Sequence, residues 1–244
     1  MKFTLFAREF RCSWWALGLY CLLTLLLCSL GFWQLSRGEQ KAEFIRLQQI
    51  ALAAEAMDLN RQKNLDKDSA RYHKVLVSGR YDNAHQFLVD NQMQDGKPGF
   101  LVLTPFFVEE DSRAVLVNRG WLPLGKNRAD LPDTGISSSV NKVLGRINYF
   151  PPVGIKLPGA EIPTEGWPAL VQVVDSKVLA NRLGYELYDF QVELDPLEAE
   201  GYKRDWKINT AIPPEKHLAY AVQWFGLALT LSVLFILKHI RKQS

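Results

Sequence analysis

His217 is the first residue whose chemistry could exceed packing. An imidazole offers a lone pair to iron, zinc or copper. This one stands at the threshold of an uncharged apolar run, Leu218 to Leu237, with Pro213, Pro214, Glu215 and Lys216 just outside it. Helical spacing puts Tyr220, Ala221, Trp224 and Ala228 on its face. The aromatic rings could wall a flat ligand, and the alanines would leave room for it. An interfacial His beside the Tyr and Trp belt of a membrane helix gives the same pattern, and spacing alone leaves both readings open. His73 and His85 have no paired spacing, and His239 lies beyond the far end of the run.

A second group is Gly31-Phe32-Trp33-Gln34-Leu35-Ser36-Arg37. Trp33 and Arg37 are one helical turn apart, and Arg37 could grip a carboxylate bidentately at a membrane interface. A Trp anchor with a snorkelling Arg accounts for the same residues. Gln34 here and Gln223 in the other run each need a partner in lipid and could bond to one another across a helix pair. Asn118-Arg119-Gly120-Trp121 follows a strand pattern. Gly120 permits a positive-φ turn, Trp121 can anchor a core, and Arg119 could contact a partner or hold a carboxylate. Nucleophile elbows, phosphate loops, dinucleotide fingerprints and zinc-protease motifs do not occur, and the acids are spread out, so nothing supports a catalyst.

These residues must be positioned by two apolar runs. Leu218 to Leu237 is 20 residues long and Trp14 to Leu35 is 22, both without Asp, Glu, Lys or Arg. At 1.5 Å per residue each gives roughly 30 Å of helix, one hydrocarbon thickness. The expected division is a tail over 1–13, a membrane helix over 14–35, a helical extension and linker over 36–70, a β-rich domain over 71–216, a second membrane helix over 217–237 and a tail over 238–244.

Charge follows the same division. The chain carries a formal net charge of +3. Lys2, Arg8 and Arg11 precede the first run and Lys238, Arg241 and Lys242 follow the second, so the remainder is slightly acidic. Short basic tails suit a cytoplasmic leaflet. A domain without a basic stripe argues against nucleic acid as a partner. Both tails are expected in the cytoplasm and the central domain on the other side. The apolar N-terminal run is longer than a signal core and lacks an Ala-x-Ala-like exit, which predicts an uncleaved anchor. Cys12, Cys21 and Cys28 all lie in or beside that run, leaving the central region without a disulfide or a Cys-x-x-Cys pair.

Phe44, Leu47, Ile50, Ala51 and Ala54 continue a helical spacing to about Met57, and Asp58 to Ser69 reads as a polar linker. Strands are predicted at Tyr72–Gly79, Gln86–Asp90, Gly99–Pro105, Arg113–Asn118, Val140–Phe150, Leu170–Val174, Leu187–Leu194 and Trp206–Asn209. Ser176–Leu183 reads as a short helix closed by Gly184, and Phe150–Pro168 as a long Pro/Gly-rich loop. The fold class expected is an α+β membrane protein: two terminal membrane helices flanking a small sandwich or partly closed barrel.

Taken together, the layout resembles the surfeit-locus family of cytochrome c oxidase assembly factors. The residues that carry the resemblance are Gly31, Trp33, Gln34, Arg37 and Lys41; Arg71-Tyr72 with Gly79 and Tyr81; Gly99-Phe100 with Thr104-Pro105; Val117-Asn118-Arg119-Gly120-Trp121; and His217-Leu218, Tyr220-Ala221 and Gln223-Trp224-Phe225. The stretch from Phe150 to Asp205 matches loosely. The resemblance implies an integral protein of a bacterial inner membrane whose middle domain is periplasmic and which serves maturation of the oxidase's haem-bearing subunit I. It implies haem a as a transiently bound cofactor, with His217 ligating the iron, and subunit I, haem a synthase and the lipid bilayer as partners. Tyr220 and Trp224 would line the site, with Trp33 and Arg37 facing it from the first helix. The ring and isoprenoid tail of haem a want lipid, and its propionates want the interface and cations. The alternative from another class is a haem-free scaffold that stabilises subunit I. A two-helix sensor lacks a cytoplasmic output segment, and a membrane-anchored hydrolase lacks a catalytic cluster.

Overall fold

The computed structural model describes residues 2–5, 8–62, 65–125, 130–136, 140–152, 157–206 and 212–242, with side chains from residue 12 to residue 240. It divides into two compact units, Met1–Leu47 with Ile208–Ser244, and Gln48–Lys207.

The first unit is built on two helices, α1 (Trp14–Ala53) and α4 (Pro214–His239). Among the described residues these are the two helices long and apolar enough to cross a membrane. Large apolar residues such as Trp15, Leu22, Leu25, Leu229 and Leu234 stay exposed along them. That is the pattern of a membrane protein, whose solvent for those side chains is lipid. Pro214 occupies the first helical turn of α4, where its missing N–H costs nothing. The backbone of β1 (Lys2–Leu5), β2 (Arg8–Arg11) and β11 (Ile240–Lys242) forms a small antiparallel sheet that brings the two chain ends together.

The second unit holds β3 (Met57–Asp58), a 3-10 turn (Leu59–Arg61), α2 (Lys67–Ala70), β4 (Lys74–Tyr81), β5 (Phe87–Gln94), β6 (Lys97–Val108), β7 (Ala114–Pro123), β8 (Lys142–Asn148), β9 (Ala169–Val171), α3 (Ser176–Leu183) and β10 (Leu187–Leu194). The ladder β4-β8-β10-β7-β6 returns to β4, so five strands close a barrel. One contact in the ring, β10 with β7, is parallel, and the others are antiparallel. β5 and β9 extend the sheet from β6, and β3 extends it from β4. Of the two architectures expected, the structure is the barrel, and it is fully closed.

Alternation explains the interior. Val75 and Val77 of β4, Val115 and Val117 of β7, and Phe190, Val192 and Leu194 of β10 fill the barrel with Phe106 and Ile147. β7 is buried on both faces, because Leu116 points the other way into a second core with Phe87, Leu103, Val171 and Leu179. α3 covers that second core. Its N-terminus is capped by the Asp175 carboxylate, which accepts from the Lys177 and Val178 amides, and it ends at Gly184 in the left-handed region.

Closure depends on Gly79. β4 meets β6 through Gly79–Val108, Arg80–Phe107 and Tyr81–Phe106. A Cβ on Gly79 would lie 1.8 Å from the Phe107 carbonyl oxygen, a backbone atom with nowhere to go.

One expectation differs from what is found, and another lies mostly outside the described residues. Leu59, within the segment read as a polar linker, is 1% exposed in the barrel core, and Asn60 binds the backbone of Ser78 and Glu109, so this segment belongs to the domain. The helical spacing of Phe44, Leu47, Ile50 and Ala51 is met, since α1 runs on to Ala53; on it Phe44, Leu47 and Ile50 are exposed, while Gln48 and Ala51 are buried. The last predicted strand, Trp206–Asn209, falls mostly on residues outside those described. Trp206 itself carries no strand pairing, and its indole N–H donates to the Leu194 carbonyl at 2.7 Å.

Candidate functional site: a histidine held between two membrane helices

The residues in contact between α1 and α4 run in opposite order, so the helices are antiparallel. Tyr20 meets Ser232 and Phe235, Gly31 meets Phe225, and Gln34 and Gly38 meet His217. Lipid tails are as apolar as leucine, so burial of leucine does not drive such a pair together. Close packing of small residues and interhelical hydrogen bonds do. Ala221 is 1% exposed, and a Cβ on Gly31 would sit 2.6 Å from the Phe225 ring. Near the tails, Ser232 donates to the Ala228 carbonyl, which uses its only proton, so Tyr20 Oη donates to Ser232 Oγ at 2.9 Å. The Tyr20 and Phe235 rings stack at 4.2 Å.

At the other end lies the pair of interest. His217 is 8% exposed, and its Nδ1 is 2.7 Å from Gln34 Oε1. With a carboxamide oxygen at Nδ1, that nitrogen keeps its proton and donates, and Nε2 keeps the lone pair. Nε2 has no hydrogen-bond partner among the described residues. Gly38 of α1 lies against this residue, where a Cβ would be 3.4 Å from the His217 Cβ, within van der Waals contact. The imidazole is thus clamped at one nitrogen and available at the other.

The other residues expected here lie in different settings. Trp224 is half-buried on α4, whereas Tyr220 is 48% exposed. Trp33 is 51% exposed, and the exposed Arg37 lies at 6.0 Å from its ring centroid while donating to Gln40 Oε1 at 3.1 Å. The partner of Gln34 is His217, and Gln223 is exposed, so the expected Gln34–Gln223 bond is replaced by a Gln–His bond nearer the helix start by about 1.7 turns. The signal that could have found it is complementary chemistry: a glutamine oxygen in lipid needs a donor, and an imidazole N–H is one.

In the β domain the motif residues act as struts. Arg119 is 1% exposed and donates to the carbonyls of Glu200 and Thr134 and to Gln86 Oε1. A side chain so enclosed cannot reach a partner protein, so Arg119 holds loops together instead. Gly120 has φ +109 and Trp121 donates to the Gln92 carbonyl. Asn118 bonds Gln191, and Glu193 pairs with Arg146 at 2.5 Å and Asn148 at 2.9 Å. Arg71 lies 3.9 Å from the Tyr149 ring centroid and 4.6 Å from that of Tyr72. The Arg113 side chain holds the Asp111 carboxyl well below its usual range, and burial with the Asp111 hydrogen bond pushes the Tyr188 phenol up to about 12. Among the described residues no three His, Cys, Asp or Glu side chains gather to hold a metal ion.

Comparison with known proteins agrees with this layout. A SURF1-like protein of Rickettsia felis is 31% identical over 218 residues, covering 87% of this chain and 91% of that protein. Surfeit locus protein 1 of Takifugu rubripes is 24% identical over 233 residues, covering 87% and 92%. The Saccharomyces cerevisiae protein named cytochrome oxidase assembly protein SHY1 is 27% identical over 107 residues, 43% of this chain and 28% of the yeast protein. The SURF1 family itself matches residues 21–229, a span that takes in most of both apolar helices, the barrel, Gln34 and His217, and the chain belongs to that family.

Proposed function

We propose that this protein serves the assembly of cytochrome c oxidase, holding haem a for the haem-bearing subunit I and not acting as a catalyst. The observation that carries the proposal is the buried His217 clamped at Nδ1 by Gln34, with Nε2 free to bind. Family membership and the printed name of the yeast relative support the process.

The residues fit a haem better than a bare ion. One histidine cannot hold a free metal, and no cluster of further ligands accompanies it among the described residues. An iron that arrives in a macrocycle brings four nitrogen ligands of its own and would need only one further donor from the protein, which His217 would be. The haem would supply the redox-active iron destined for the oxidase. His217 Nε2 would bind the iron, Gln34 would fix the tautomer and ring plane, and Trp224 offers an apolar wall on the same helix. The orientation proposed puts both tails in the cytoplasm and the barrel in the periplasm of a bacterial inner membrane, with subunit I and haem a synthase as partners.

The test is the absorption spectrum of protein purified from membranes of cells that make haem a. The proposal predicts a Soret band that His217→Ala weakens or shifts. A haem-free scaffold would instead co-purify with subunit I from cells unable to make haem a, and would show no Soret band under any condition.

A further inference from the structure

A pocket of about 180 Å³ opens in the β domain, with Asn83, Gln86, Asp133, Thr134, Trp167 and Pro168 among its lining residues. Its two buried polar residues are Gln86, 5% exposed, and Thr134, 3% exposed. Arg119 is buried behind them and has only donors to offer, so the Gln86 atom it meets at 3.3 Å is the amide oxygen. The same Arg119 nitrogen donates to the Thr134 carbonyl at 2.7 Å. These bonds turn the Gln86 amide nitrogen away from Arg119 and leave the Thr134 hydroxyl out of the network. Neither Gln86 Nε2 nor Thr134 Oγ1 has a hydrogen-bond partner among the described residues, and neither atom is sealed within the protein. Buried polar groups are ordinarily paired, and two that line one pocket are satisfied by what enters it.

The wall of the pocket is held from behind. His85 meets the Trp167 ring at 4.7 Å and Phe87 at 5.2 Å, both edge-to-face, and the Arg182 guanidinium lies 5.5 Å from its centroid. His85 is fixed in turn by Asp82, whose carboxylate also accepts from the Tyr185 hydroxyl at 2.8 Å. The exposed Asp133 carboxylate, an acceptor only, completes the lining.

Space and polarity narrow the ligand. The volume is below the roughly 300 Å³ at which pockets for whole small molecules begin, and suits a single side chain. A carboxylate could accept from Gln86 Nε2 but would meet the Asp133 charge. An ammonium or guanidinium could meet Asp133 but would set donor against donor at Gln86. A primary carboxamide carries an acceptor and two donors in one plane and answers both. We propose that this pocket receives the carboxamide of an Asn or Gln side chain presented by a partner polypeptide. Its oxygen accepts from Gln86 Nε2, and its NH2 donates to Thr134 Oγ1 or to Asp133. The site is independent of His217 and of the haem reading.

The experiment is saturation-transfer NMR on the full-length protein in detergent, with N-acetyl-Gly-Xaa-Gly methylamide peptides in which Xaa is Gln, Leu, Glu or Lys. Wild type is expected to bind the Gln peptide about tenfold tighter than the other three. Thr134→Val keeps the backbone carbonyl that Arg119 uses and removes only the hydroxyl. It should weaken Gln-peptide binding about tenfold while the thermal midpoint does not fall. Gln86→Glu keeps an oxygen for Arg119 and puts a second one where the donor was, and should move the preference to the Lys peptide. Equal binding of the four peptides by wild type, binding of none, or Gln-peptide binding untouched in Thr134→Val would overturn the site. Tighter binding of free glutamine than of the Gln peptide would overturn a polypeptide as the source of the carboxamide.

Discussion

At the scale of single residues, His217 derives its meaning from Gln34. An unclamped imidazole on a membrane helix can present either nitrogen and rotate about its side-chain torsions. The 2.7 Å bond removes that freedom and leaves one donor atom for a ligand. Outer partners of this kind commonly govern metal affinity by 10–100-fold. Gln34→Leu is therefore expected to lower haem retention by about that factor, measured by haem titration of the purified protein. Gln34→Glu should retain haem and lower its reduction potential, because a carboxylate at Nδ1 makes Nε2 a stronger donor; spectroelectrochemistry reads this directly. Unchanged retention in the leucine variant would remove Gln34 from the site. His217 was legible in the sequence as a histidine at the mouth of an apolar run. Its partner was not, because helical periodicity gives the face of a residue but not its depth against the opposing helix. That register is set by Gly31 against Phe225 and Tyr20 against Ser232, contacts about 200 residues apart in the chain.

At the scale of elements, the strands and α3 were legible because local rules govern them. Alternation placed β4, β5, β6, β7, β8, β9 and β10 within a few residues of where they lie, and Asp175 and Gly184 mark the ends of α3. Closure of the barrel was not legible, since it depends on one non-local seam where Gly79 passes the Phe107 carbonyl. Nor was the membership of Leu59 in the core, a single apolar residue in a polar stretch that no period reveals. The seam has a testable cost. Gly79→Ala should part β4 from β6 and destabilise the protein by about 3 kcal/mol or more, lowering the thermal midpoint of the full-length protein by about 10 °C. Gly18→Ala, with nothing within 4 Å of the added Cβ, is the control and should leave the midpoint in place. A thermal melt followed by circular dichroism separates the two.

At the scale of the whole molecule, the two apolar runs and the charge at their flanks were the strongest signals in the sequence. They led to two helices long and apolar enough to cross a membrane, flanking a β domain. The orientation proposed has a direct check. Reporter fusions at either terminus should behave as cytoplasmic and one inserted between residues 157 and 162 as periplasmic, and a cytoplasmic readout from that loop would contradict the proposed function. Most direct is the spectrum of the haem-loaded protein with His217→Ala beside wild type, followed by addition of imidazole. If His217 is the axial ligand, the variant loses or shifts the Soret band, and free imidazole entering the vacated space restores it. If His217→Ala holds the haem with an unchanged spectrum, His217 is not the ligand, and the role given to the helix pair is wrong.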